Sequence, residues 1–240
     1  MAEPKDLQVF LEDFARLSRY TGFQYFRVMT DALSADTRRF QSECIKIKQQ
    51  LDGKPLTQEG YAELGFWYRG HARALLTFVE GLLYVMRQLI SHAEERGEIQ
   101  LDRGESHLIR EKEYFIQSDK IQERPKFSQL TDTIRLTLRL FPQVFGSTYQ
   151  VNYNDNGWAQ FQRLVKMRND LTHPKSAKAS MLQPELANTI RDAAVWFFGC
   201  VSGILSKVDG PLMEQSHRDT IAMPEAQELV REQGKLFGGG

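Results

Sequence analysis

Apolar residues recur at every third and fourth position along most of this chain, which is the spacing of a helix face, and sustained alternation at every second position is not found. The first such region runs from about Asp6 to Thr30, with Leu7, Phe10, Leu11, Phe14 and Leu17 on one face. A second follows Ser34 and closes near Leu51, where Asp52-Gly53 supplies a stop and Lys54-Pro55 blocks continuation. The longest pattern spans about Thr57 to Glu95 and is apolar on most of its circumference between Ala72 and Ile90, as expected of a helix surrounded by other helices. Its remaining polar residues, Thr77, Glu80, Tyr84 and Arg87, fall on one stripe, which predicts a face towards a solvent-filled groove or a partner chain.

Residues 97–127 are more charged and less periodic, and Gly97, Gly104 and Pro125 interrupt them, so they are expected to form an inserted loop with a helical turn or two and no strand. Helical patterning resumes at Ser128, a candidate N-cap, and runs to Phe141 before Pro142. After a Gly/Asn-rich connection, Trp158, Phe161, Leu164, Val165 and Leu171 mark another amphipathic helix. A last apolar helix is expected from near Pro184 to about Lys207. The tail after Gly210 is polar, with one short amphipathic stretch, PEAQELVREQ. These elements predict an all-α fold, a bundle of about five to seven helices in one domain over 1–210, with 6–51 as an N-terminal extension, 97–127 as an insertion and 211–240 as a tail.

The 240 residues carry 41% apolar side chains, enough for a sizeable core. Lys+Arg and Asp+Glu are both 31, so no global charge draws the chain to nucleic acid or an anionic membrane, and any polyanion must be met by a local patch. Two stretches approach membrane spans. Ala72–Ile90 carries Arg73, Glu80 and Arg87, and Ala193–Leu205 is too short, so both are expected to be core helices and no membrane partner is predicted. Cys44 and Cys200 lie outside any CxxC spacing and are expected to be reduced, buried thiols. The first ten residues, MAEPKDLQVF, have no apolar signal-peptide core, which points to the cytoplasm.

Most familiar chemistries find no support. GCVSG at Gly199 places serine fourth rather than third for a nucleophile elbow. The histidines, His71, His92, His107, His173 and His217, show no paired spacing, so no metal site and no cofactor are expected. His71 is expected at the surface or as a satisfied core histidine, and Trp196-Phe197-Phe198 in the core or a dimer interface.

The exception is KMRNDLTHPK, Lys166 to Lys175. A residue before proline is pushed out of the α region, so the helix must stop close to His173, with Arg168 in its last turn. On a continuous helix, residues five apart diverge by about 140°. The break lets the imidazole turn back beside the guanidinium. Cations in a last turn also favour the helix dipole and bond free carbonyls, which is the plain alternative. Against it stands the pairing of a permanent cation that forks onto phosphate oxygens with the side chain that titrates near neutral pH. Those groups serve attack of a ribose 2′-hydroxyl on the adjacent phosphodiester.

The order Trp158, Phe161, Leu164, Arg168 leading into Arg168-Asn169-Asp170-Leu171-Thr172-His173, followed by an apolar helix, resembles the R-x4-H signature of the HEPN (higher eukaryotes and prokaryotes nucleotide-binding) superfamily. The resemblance implies a metal-independent endoribonuclease active as a homodimer, commonly a toxin or phage-defence effector. Arg168 and His173 would then be catalytic and Asn169 a supporting polar residue. Some members place an acidic residue on an earlier helix near the site, and Glu80 is the candidate here. Where one subfamily has a tyrosine that is modified by its antitoxin, two residues after the histidine, this chain has Lys175, which puts that regulation in doubt. Lys175 and Lys178 could instead extend an RNA phosphate-binding patch. An inhibitor or activator protein is expected, since an unregulated ribonuclease harms its host. The alternative is a non-catalytic helical module for dimerisation or for RNA, nucleotide or protein binding.

Overall fold

The computed structural model describes residues 4–51, 57–117, 120–125, 129–172 and 185–208, with side chains described for 22–51, 57–111, 129–168 and 185–208. The architecture is an all-α bundle. Its described helices are α1 (Pro4–Leu51), α2 (Gln58–Glu95), α3 (Arg103–Ile109), α4 (Leu130–Val144), α5 (Asn156–Thr172) and α6 (Leu186–Ser206). Between α3 and α4 stands one excursion from the bundle, an antiparallel hairpin of β1 (Lys112–Gln117) and β2 (Lys120–Pro125), in register from Lys112 opposite Pro125 to Gln117 opposite Lys120.

The first departure from the sequence expectation is that 6–30 and 34–51 form one 48-residue helix. The hydroxyls that suggested a break turn back into it: Thr30 Oγ1 donates to the Phe26 carbonyl at 2.8 Å and Ser34 Oγ to the Asp31 carbonyl at 3.1 Å. Ser34 and Thr37 are also buried. α1 runs antiparallel to α2, with Phe40 against Trp67 and Gly70, Leu33 over Gly81, and Leu89 beside Gly22. α2 starts where the pattern predicted, with the Thr57 hydroxyl accepting from the Gly60 N–H at 3.2 Å. By length and composition α2 could cross a membrane, but 56% of its most apolar window is buried inside the bundle, where Leu75, Val79, Leu82, Met86 and Ile90 are essentially inaccessible.

The second departure lies within 97–127, where the expected helical turns are present as α3 but β1 and β2 form a hairpin where no strand was expected. Asp102 and Glu105 close a reciprocal capping box at the head of α3. Arg110 bridges back to Glu94 of α2 at 2.9 Å, and Glu105 takes Arg139 of α4 at 2.6 Å. The third concerns α4, which passes through Pro142 to Val144, because Phe141, Pro142, Val144 and Phe145 are all buried and their packing outweighs one lost backbone bond in the last turn. Ser128 and Pro184 lie outside the described residues, and the helices they were expected to open begin at Leu130 and Leu186.

α5 and α6 pack closely through an aromatic cluster. Trp158 lies 4.9 Å from Trp196, and Phe161 contacts both Trp196 and Phe197. Gly157 makes this approach possible, since a Cβ there would run into Trp196 and sit 3.1 Å from the Asp192 carbonyl. Trp196 and Phe197 are thus core residues, while Phe198 stacks on Phe78. Cys44 and Cys200 are free, buried thiols, whose pKa burial pushes up to about 11. His71 is also buried, and burial pulls its pKa down to about 4.

Candidate functional site

The buried stripe of α5, Trp158, Phe161 and Leu164, leads four positions on to Arg168, where the stripe leaves the core and meets α2. There the guanidinium forks onto the carboxylate of Glu80. Its Nη1 lies 2.8 Å from Oε1, and Nη2 donates to Oε2 at 3.2 Å. Two parallel charge-assisted bonds of this kind fix orientation as well as distance. The side chains keep 47% and 36% of their surface, so the pair stands at the bundle surface, where an incoming anion can reach it. Arg168 and Glu80, singled out separately in the sequence, are therefore brought together.

The α5 backbone is helical through Thr172, and the break expected at His173 lies outside the described residues. Asn169 lies on this last turn, one residue beyond Arg168. Its side chain, and His173, Lys175 and Lys178 as a whole, fall outside what the structure describes.

Beside the Arg168–Glu80 pair opens a cavity of about 380 Å³, walled by α2, the start of α4, the end of α5 and the junction of α3 with β1. Two residues of the polar stripe of α2, Glu80 and Arg87, line it. Thr77 and Tyr84 are exposed and Glu80 is half-buried, but Arg87 is buried and hydrogen-bonds through Nη1 to Glu111 Oε1. Thus the stripe faces a groove for part of its length and is covered at its far end by the root of the inserted hairpin. Glu111 holds a left-handed backbone conformation, φ 52°, at the position after the α3 C-cap where glycine is ordinarily favoured. The cavity therefore presents two guanidiniums, Arg87 and Arg168, each with its own carboxylate.

Sequence reasoning placed Arg87 on the polar stripe without assigning it a role, and Glu111 was not singled out. The signal available for Arg87 was that stripe. For Glu111 there was none, because its partner is 24 positions away in a segment of no regular period. No three His, Cys, Asp or Glu side chains converge as a metal-binding group among the described residues.

No protein-family model matches the chain, and no curated protein or solved structure matches it significantly.

Proposed function

We propose that the protein is a cytoplasmic, metal-independent endoribonuclease of the HEPN type, working as a homodimer with Arg168 and His173 as its catalytic residues. The observation that carries this reading is the bidentate Arg168–Glu80 pair at the end of the motif helix, at the edge of an open cavity. It holds a phosphate-binding cation in a fixed orientation one helical turn before the point where His173 follows.

In the reaction, His173 of one protomer takes the proton of the ribose 2′-hydroxyl as its oxygen attacks phosphorus. The bond from phosphorus to the 5′-oxygen breaks, and His173 of the other protomer protonates that oxygen. The products are a 2′,3′-cyclic phosphate and a 5′-hydroxyl end. Arg168 stabilises the charge that builds on the non-bridging oxygens, Glu80 positions Arg168, and Asn169 supports the site. Lys175 and Lys178 attract the flanking strand. A toxin or phage-defence role, restrained by an inhibitor or released by an activator protein, fits such an activity.

The test is subunit mixing. Arg168→Ala and His173→Ala should each be inactive, and a heterodimer of wild type with His173→Ala, which lacks one of the two imidazoles, should not cleave either, so that excess His173→Ala suppresses wild-type cleavage, whose products carry cyclic-phosphate ends. Wild-type cleavage left undiminished once heterodimers have formed would remove the shared site. A second reading has one observation in its favour: both terminal nitrogens of Arg168 already meet Glu80, as in a tie between α2 and α5 in a non-catalytic helical module. In that case Arg168→Ala would lower stability and change nothing else.

A further inference from the structure

Arg87 is a buried cation on α2. Its side chain keeps only 10% of its surface, whereas that of its partner Glu111 keeps 32%. A cation buried to this degree is held in place by packing and needs an anion beside it. The anion it has is supplied by a residue in a left-handed conformation that glycine would adopt with less strain. The backbone there is therefore shaped to deliver a carboxylate to Arg87. The two members are also unequal: Glu111 can turn out to water, and Arg87 cannot.

Arg87 and Glu80 stand seven positions apart on α2, almost on one line of the helix and about 10.5 Å along its axis. Arg87 thus shares the cavity with Arg168, two turns away. The four charges of the cavity sum to zero. A phosphodiester chain entering it would meet two carboxylates at close range, and like charges in a partly desolvated site repel strongly. One carboxylate has to leave for a second phosphate to enter, and Glu111, which Arg87 holds through Nη1 while Glu80 is gripped by both terminal nitrogens of Arg168, is the one more readily released.

We propose that Arg87 is a second phosphate-binding group, which takes a phosphate of the strand flanking the one at Arg168, and that the Glu111 carboxylate occupies this subsite until RNA displaces it. Guanidinium binds carboxylate and phosphate oxygens with the same fork, so the exchange keeps the geometry of the pair. Glu111 then acts as a built-in competitor that lowers affinity for short or weakly held strands. The inference rests on RNA being the ligand of the Arg168 site.

The test is fluorescence anisotropy with a labelled single-stranded 2′-O-methyl RNA, which binds but cannot be cut, against wild type, Glu111→Gln, Arg87→Gln, the double variant and Arg168→Ala. Glu111→Gln, which keeps the size of the side chain and removes its charge, should bind roughly threefold to tenfold tighter, the equivalent of one charged competitor removed. Arg87→Gln should bind weaker by a similar factor, with the slope of log affinity against log salt reduced by about 0.7. In the double variant the gain from Glu111→Gln should vanish. If Arg87→Gln fails to fold, Glu111→Gln alone decides. Unchanged or weaker binding by folded Glu111→Gln, while Arg168→Ala still weakens binding, overturns the Arg87 subsite and leaves the ribonuclease reading standing. No binding by any of the proteins overturns both.

Discussion

Replacing Arg168 by alanine separates a structural tie from a catalytic group, because the structure bounds how much stability the pair can supply. The guanidinium and the Glu80 carboxylate keep 47% and 36% of their surface, so water and salt screen their attraction. Exposed pairs contribute roughly 0.2–1 kcal/mol, and the bidentate geometry here puts this one near the upper end. Alanine also has a slightly better helix propensity than arginine. The expected loss is about 1 kcal/mol at most, a fall of about 2–4 °C in melting temperature for a chain of this size. Loss of one preorganised group that stabilises transition-state charge lowers the rate by about 10²–10³-fold. Urea unfolding and cleavage of a labelled single-stranded RNA, measured on the same preparations, give both quantities. A double-mutant cycle with Glu80→Gln should return a coupling of about 0.5–1 kcal/mol in stability. A loss of more than about 2 kcal/mol of stability in Arg168→Ala, or a cleavage rate within a few-fold of wild type, would refute a screened surface pair with a catalytic Arg168.

Three further outcomes follow from the fold. Gly157→Ala should destabilise by about 1–3 kcal/mol, because the new methyl meets Trp196 and the Asp192 backbone; a two-state denaturation followed by Trp158 and Trp196 fluorescence reads this, and no loss would contradict the close approach of α5 and α6. Thr137→Val should be neutral or stabilising by about 1 kcal/mol, since the buried Thr137 hydroxyl has no partner among the described residues, and a marked loss on chemical denaturation would show that it does bond. His71 takes up a proton near pH 6.5 when unfolded and near pH 4 when folded. Its contribution is therefore complete above pH 6.5 and is lost as pH falls towards 4, by up to about 3 kcal/mol. His71→Leu should flatten stability against pH in that window, and an unchanged profile would mean that the imidazole is solvated.

What the sequence made legible were the features carried by local periodicity. The bounds of α2, the aromatic face of α5 and the apolar α6 all follow from three-and-four spacing, with a capping residue at the head of α2. Glu80 could be paired with Arg168 because it lies on the polar stripe of α2 and the family resemblance implies an acidic residue on an earlier helix. Hidden features depended on contacts across the fold. Thr30 and Ser34 look like a break in a linear reading, yet burial against α2 and back-bonding keep α1 continuous. The hairpin strands KEYFIQ and KIQERP mix charges with apolar residues, so neither alternation nor helical period stands out, and it is α3, tied down by Glu94 and Arg139, that launches them. The Arg87–Glu111 pair joins these two regions and could not be read from either alone.

The central claim is that the end of α5 cuts RNA through Arg168 and His173. Purified wild type should cleave total cellular RNA in the presence of EDTA and elute as a dimer, while His173→Ala, folded and dimeric, should leave the RNA intact. Equal cleavage by both proteins, or inactivity of the wild-type dimer across RNA substrates with and without its cellular extract, would contradict it.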